Sequence, residues 1–280
     1  MHEVADNLKR HPLAMAGLVI LLAEVIIVVF VPMIFGMDPY TSDPLYFDSA
    51  PNRAHLLGTD AIGRDLLARL LYGGRTSLLV GVFSTLIALA IGVPLGLIAG
   101  YYGGVAEMII MRICDIFMSF PSIVLVLVLV SIMGPSIWSV TITIGILDWT
   151  EFARLIYANV LSVKEKEYVQ SAKAIGTPGL KTMMKYILPN AFPPILITVT
   201  FHVAGAILSE SALSFLGMGV QPPAASWGNL LHDAQSITVL SREPWVWLPP
   251  GIAIVVTVLS INFFGDGIRD ALDPRMQVRK

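Results

Sequence analysis

The side chains able to do chemistry are few, and the notable ones sit where charge is costly. Asp148, Glu151 and Glu210 lie within or at the edge of long apolar runs. An acid at the centre of a membrane helix costs about 2.5–3.5 kcal/mol on insertion scales, so it faces a cavity or a partner. Asp148 and Glu151 are three residues apart and share one helix face. Two roles are open to them. They form an acidic wall that meets an amino group or a cation, or they do structural work against Arg154 or the backbone. His202 lies in another apolar run and reads as a packed, hydrogen-bonded histidine rather than a metal ligand. The five histidines (His2, His11, His55, His202, His232) are scattered. The chain has no C-x-x-C, no H-E-x-x-H and no nucleophile elbow, so no catalytic set or metal site emerges. It also has no G-x-x-x-x-G-K-[ST] loop to cradle phosphates. Any nucleotide that drives this chain is bound by another polypeptide.

The elements that position these groups follow from composition. The chain of 280 residues is 55% hydrophobic and 14% charged, against roughly 25% charged in soluble domains. A helix needs about 20 mostly apolar residues to cross a bilayer. Five runs fit: 15–35, 77–99, 107–133, 191–209 and 246–264. A sixth, 137–157, is weaker because it holds Asp148, Glu151 and Arg154. The expectation is an all-α polytopic membrane protein with six spans. The first run is too long for the apolar core of a cleaved signal peptide. Six spans place both ends on one side. With that side inside, 13 of the 18 Lys and Arg residues are internal: Lys9, Arg10, Arg112, Arg154, Lys164, Lys166, Lys173, Lys181, Lys185, Arg269, Arg275, Arg279 and Lys280. Such a bias is the mark of cytoplasmic segments, and it weakens sharply if 137–157 does not cross.

This organises the chain into a cytoplasmic tail (1–12), a first span (13–35), an extracytoplasmic loop (36–76), a core of five spans (77–268) and a cytoplasmic tail (269–280). The core contains an inner loop (158–190) and an outer one (210–245). Thr59-Asp60 is read as the cap of a short helix over Leu66–Leu71, with an Asp–Arg pair ordering 58–65. Trp138, Trp227, Trp245 and Trp247 fall at the outer boundary, where amphipathic rings sit. Ser226 opens a short capped helix. Glu24, and Glu107 with Arg112 and Asp115, are read as snorkelling or locally paired. Asp266, Arg269, Asp270, Asp273 and Arg275 are read as a self-pairing network. The single cysteine, Cys114, excludes an internal disulfide, and a net charge of −2 gives no reason to expect nucleic acid.

The inner loop is the most informative stretch. Tyr168, Val169, Ala172 and Ile175 recur on one helix face. Gly176 and Pro178-Gly179 end that helix. A second, from about Leu180 to Tyr186, shows Met183, Met184 and Ile187 to a partner, and Pro189 turns the chain back. By period alone the loop either docks in a groove of another protein or lies on lipid. The order of residues decides. Gln170-Ser171-Ala172-Lys173-Ala174-Ile175-Gly176 followed by Ile187-Leu188-Pro189 resembles the EAA…G…I-LP signature of ABC-importer permeases. Gln170 and Ser171 replace its Glu and Ala, and Tyr186 its Ile. The likeness covers nearly the whole chain. His11-Pro12-Leu13-Ala14, the run Leu57–Asp65, Leu213–Pro223 with Ser226-Trp227-Gly228, and Gly265–Arg275 are similar to the C-type permease of dipeptide, oligopeptide and nickel importers.

The resemblance implies a type I ABC-importer permease fold, not an enzyme, in the cytoplasmic (inner) membrane of a prokaryote. It implies as partners a second homologous permease, two ATP-binding subunits that use ATP and Mg, an extracytoplasmic substrate-binding protein and the lipid bilayer, with no cofactor bound by this chain. It places Gln170, Ser171, Ala172, Gly176, Ile187, Leu188 and Pro189 in the coupling contact with the ATPase. Asp148, Glu151 and Glu210 are the candidates for the translocation pathway. The expected cargo is a peptide, the alternative nickel or another small solute. An ion-gradient transporter fits less well, for no internal repeat or clear ion site is visible.

Overall fold

The computed structural model describes residues 11–272. Twelve helices are used below: α1 (Pro12–Ile34), α2 (Leu66–Tyr102), α3 (Gly104–Met118), α4 (Ser122–Met133), α5 (Ile137–Lys164), α6 (Glu167–Ala174), α7 (Gly179–Thr182), α8 (Leu188–Ala191), α9 (Pro193–Phe215), α10 (Trp227–His232), α11 (Ile237–Arg242) and α12 (Pro244–Leu272). Lys9, Arg10, Asp273, Arg275, Arg279 and Lys280 lie outside the described residues.

Length and apolar composition let α1, α2, α9 and α12 each cross a membrane, and the bent α3–α4 pair, counted as one span, makes a fifth. The expected single span 107–133 is in fact broken, with α3 and α4 bent by 89°. Pro121 explains the break. It restricts the residue before it, and its missing N–H interrupts the helical ladder.

Helix α5 is 28 residues long, but its charges keep it from qualifying by composition. Its neighbours show that it runs the length of the bundle. Glu107 on α3 accepts a hydrogen bond from Tyr157, and Asp115 accepts one from Arg154 at 2.7 Å. At the other end, Thr143 contacts Met133 of α4 at 3.6 Å. The α3–α4 pair thus runs antiparallel to α5. α5 in turn lies parallel to α2, with Gly145 beside Ser84 and Ile87, and Gly100 beside Val160. The chain passes six times through one layer.

Pairing of α2 with α5 is the most extensive in the bundle, and three glycines make it possible. Gly92, Gly96 and Gly100 fall at a spacing of four on α2. A Cβ at each would lie 2.5 Å from the Trp149 carbonyl oxygen, 2.4 Å from that of Ala153 and 2.7 Å from Val160, respectively. Without side chains the backbones approach closely, which is how helices associate in lipid, where burial against hydrocarbon gives no advantage.

Helix α1 packs antiparallel on α12, with Gly17 against the Ser260 carbonyl and Thr257 Oγ1 donating to Glu24 Oε1 at 2.6 Å. His11 Nε2 lies 3.1 Å from Asp270 Oδ2. Both described ends therefore share one end of the bundle with the 165–191 loop. At the opposite end lie residues 36–65 and 216–243. There Arg75 ties α2 to α1 through the carbonyl oxygens of Val28 and Val29, each at 2.6 Å.

The expected short helix over Leu66–Leu71 is the first two turns of α2. Its cap is Asp65, whose carboxylate accepts from Ala68 N at 2.8 Å, not Thr59-Asp60. Those residues order the loop instead. Asp60 accepts from Arg64 N and Arg64 Nε at 2.9 and 2.7 Å, which is the Asp–Arg pair expected there.

Candidate functional site

The loop 165–191 packs against the end of the bundle. Gln170 Nε2 donates to the Lys164 carbonyl at 2.8 Å, which satisfies a free carbonyl at the end of α5. Helix α6 then turns Val169 and Ala172 inward, both buried. It ends on Gly176 at φ +76°. Gly176 N bonds Lys173 O and Thr177 N bonds Ala172 O, each at 3.0 Å, the paired closure that a left-handed glycine allows. Pro178 starts α7, and its carbonyl accepts from Thr182 N at 2.9 Å. Gly179 rests on the Tyr101 ring, and Lys173 Nζ lies 5.1 Å above that ring. A π-helical turn, Met183–Ile187, leads into α8.

One apolar cluster joins this loop to the spans. Val169, Ile187 and Ala191 pack with Ala88 and Leu97 of α2, Phe152, Ile156 and Val160 of α5, and Ile195 of α9. The structure therefore divides the signature. Gln170, Ser171, Gly176 and Pro189 are exposed, Leu188 is half-buried, and Ala172 and Ile187 are inside the chain. Met183 is also buried, so the expectation that Met183 and Ile187 face a partner is corrected: they anchor the loop. The large apolar residues left exposed are Tyr168, Ile175, Leu180 and Met184, with Ile175 at 81% exposure. Amphipathic period alone gave no way to tell which apolar residues turn inward.

A second cluster lies within the spans. His202 Nε2 on α9 is 3.4 Å from Glu151 Oε2 and 3.8 Å from Asp148 Oδ2 on α5. The imidazole packs on Phe152 with ring centres 4.7 Å apart, which fits the packed role read from sequence. Arg154 is not the partner of these acids, because it is engaged by Asp115 of α3. Asp148, Glu151, Thr198, Phe201, His202 and Ser209 line a cleft of about 240 Å³. Among the described residues no cluster of His, Cys, Asp and Glu is arranged to hold a metal ion.

Glu210 is not brought to this cleft. It has no exposed surface. Its carboxylate accepts from Ser77 Oγ of α2 at 2.9 Å and from Ser214 Oγ at 2.7 Å. Ser77 Oγ also accepts from Trp227 N at 3.2 Å, and Trp227 Nε1 donates to the Leu70 carbonyl at 3.0 Å. The capping box of Ser226 and Asn229 sets the start of α10. Trp227 is thereby buried inside the protein and does not offer its ring to lipid headgroups. Glu210 is a hub that seats the outer segment on α2 and α9.

Of the inner-tail network, Asp270 pairs with His11, while Asp273 and Arg275 lie outside the described residues. In the opposite loop His55 sits between Asp65, at 2.8 Å, and Asp43, at 3.7 Å, an arrangement that sequence reasoning did not find. The three residues are spread over a turn-rich segment with no period to betray them.

Comparison with known proteins gives this architecture a family. Residues 92–278 match the family described as "Binding-protein-dependent transport system inner membrane component", and residues 1–52 match the "N-terminal TM domain of oligopeptide transport permease C". A putative peptide permease protein of Brucella suis biovar 1 is 42% identical over 278 residues, covering 99% of this chain and 92% of its own. A dipeptide transport system permease protein, DppC, of Alkalihalophilus pseudofirmus is 41% identical, covering 98% and 90%. A glutathione transport system permease protein, GsiD, of Pectobacterium atrosepticum is 40% identical, covering 96% and 89%. A chain of the MetNI methionine ABC transporter in an inward-facing conformation shares the fold, with a TM-score of 0.57 at 20% identity, over 74% of this chain and 97% of that one. The apolar helices and these matches make it an integral, multi-pass inner-membrane protein, and the chain belongs to the family of inner-membrane permease components of binding-protein-dependent ABC importers.

Proposed function

We propose that this permease imports peptides, and that the 165–191 loop is the handle through which separate ATPase subunits move it. The relatives named for peptides, dipeptides and glutathione support that cargo class. The chain carries no phosphate loop, so ATP and Mg are used by two partner ATP-binding subunits. A second related permease completes the cavity, and an extracytoplasmic binding protein delivers the cargo. Both termini and the loop face the cytoplasm, in keeping with the Lys and Arg distribution.

The observation that carries this reading is the two-sided character of the loop. Its inner side, with Val169, Ala172, Met183 and Ile187, is packed against the chain's own helices. Its outer side offers Tyr168, Ile175, Leu180 and Met184 beside Gln170, Ser171, Gly176 and Pro189. These exposed apolar side chains on a charged, polar loop are what a docking partner would cover. A force applied to the outer side reaches α5 and α9 directly, because packed interiors transmit displacement rather than absorb it. Ala172, Ile187 and Leu188 serve coupling from within, by fixing the loop to the bundle. Asp148 and Glu151 line the pathway that the movement opens.

Reconstitution tests this. The chain, its second permease, two ATPases and the binding protein are placed in liposomes with a panel of labelled dipeptides, oligopeptides and nickel chelates. ATP-dependent accumulation of a peptide, lost when any one component is omitted, is the expected result. Accumulation of the nickel chelate and of no peptide contradicts the cargo.

A further inference from the structure

The cleft between α5 and α9 holds more negative charge than the chain neutralises. Two carboxylates, Asp148 and Glu151, face one histidine. Even a protonated His202 offsets one of them. Every element packed around the cleft has been spent or is neutral. Arg154, the next cation on α5, is held by Asp115 at 2.7 Å, and Arg112 lies 3.7 Å from the same aspartate. Helix α2 carries no acidic or basic side chain from Thr76 to Tyr102, and α4 carries none at all. On α9 the other charged residue is Glu210, sealed in its serine network. An intramembrane charge without a partner is costly and calls for one.

A second feature points the same way. The His202 side chain is 9% exposed, and its Nδ1 is buried with no hydrogen-bond partner. A buried nitrogen left unpaired is expensive. In the neutral ring, with Nε2–H directed at the carboxylates, Nδ1 is an acceptor. Nδ1 lies on the ring edge away from the carboxylates that Nε2 faces, so the cleft wall offers two carboxylates against a single N–H, a set of acceptors with too few donors. No metal-binding arrangement is present among the described residues. An ammonium group supplies one positive charge and three N–H donors. The cleft of about 240 Å³ has room for an ammonium group and the chain that carries it.

We infer that the Asp148–Glu151–His202 cleft receives the free ammonium group of the cargo during its passage, so that this permease itself selects for an unblocked amine. The inference rests on the peptide-importer reading and names the chemistry of its pathway. His202 is the positioning residue: it holds the two carboxylates together in the empty cleft, and the ammonium takes over that role when cargo arrives.

The test uses the complete importer in liposomes and two cargoes, alanyl-alanine and its desamino analogue. Each is presented at ten times its measured Kd for the binding protein, so that delivery is matched. Wild type moves the amine at least tenfold faster. Asp148→Asn with Glu151→Gln, and each single isosteric change, brings that ratio towards one. A wild-type ratio near one overturns the inference. So does a variant with an unchanged ratio, or equal loss of both cargoes. Failure of all three variants to assemble also overturns it, because the charge then meets a cation of the second permease. A wild type that moves neither cargo instead contradicts the peptide assignment, and the two failures are distinct.

Discussion

Lys164 Nζ donates to the Gly100 carbonyl oxygen at 3.0 Å, joining the last turn of α5, where the chain enters the loop, to the last turn of α2. This bond fixes the loop's entry point to the best-packed helix pair in the protein.

The α2–α5 contact depends on Gly96. A Cβ there meets the Ala153 carbonyl at 2.4 Å and Ile156 at 2.8 Å, neither of which is the yielding tip of a side chain. Overpacking of this kind costs about 1–3 kcal/mol. Gly96→Val is expected to lower the thermal midpoint of the purified complex and to loosen coupling. Gly205→Ala, whose Cβ meets nothing within 4 Å, is expected to leave that midpoint unchanged or raise it. Equal midpoints for the two variants would show that close approach of α2 and α5 does not matter.

Glu210 organises the outer segment. Removing its carboxylate leaves the hydroxyls of Ser77 and Ser214 buried without their acceptor. An unpaired buried polar group costs about 1–3 kcal/mol. Glu210→Ala is expected to destabilise the complex by that order and to expose α10 to proteolysis. Glu210→Gln, which keeps an accepting oxygen, is expected to cost less. Wild-type protease resistance of the alanine variant would remove Glu210 from its place as the hub.

Ile175 separates docking from folding. Its side chain is 81% exposed and sits just before the Gly176 turn. Ile175→Glu is expected to leave the fold and membrane insertion intact while cutting peptide uptake at least tenfold, with ATP hydrolysis no longer tied to transport. Ala172→Glu is expected to behave differently, because Ala172 is buried and an unpaired carboxylate there disrupts the loop itself. Uptake and ATPase assays beside thermal midpoints distinguish the two. An Ile175→Glu complex with normal uptake would show that the exposed apolar residues are not the contact.

Much of the architecture is legible in the amino-acid order. Runs of apolar residues mark the spans, and the Lys and Arg distribution rescues α5, whose Asp148, Glu151 and Arg154 hide it from a composition test. Gly176 and Pro178 mark the break in the loop, because glycine alone takes φ +76° at no steric cost. What the order leaves open is long-range. Ala172 and Ile187 have the chemistry of a docking face and of a core equally, and only the position of α2 and α9 decides. The partner of Glu151 is His202 on another helix, not Arg154 one turn away. Gly92, Gly96 and Gly100 are visible as a spacing of four, but the helix they meet is not.

The most direct test of the coupling role is the sidedness of Ile175 and its cover. With the buried Cys114 replaced by alanine, Ile175→Cys provides one reactive thiol at the loop apex. A membrane-impermeant maleimide is applied to intact cells, to inverted vesicles with the ATPases bound, and to inverted vesicles stripped of them. Labelling is predicted only in the stripped inverted vesicles. Labelling of intact cells, or equal labelling of inverted vesicles with and without the ATPases, would contradict the handle.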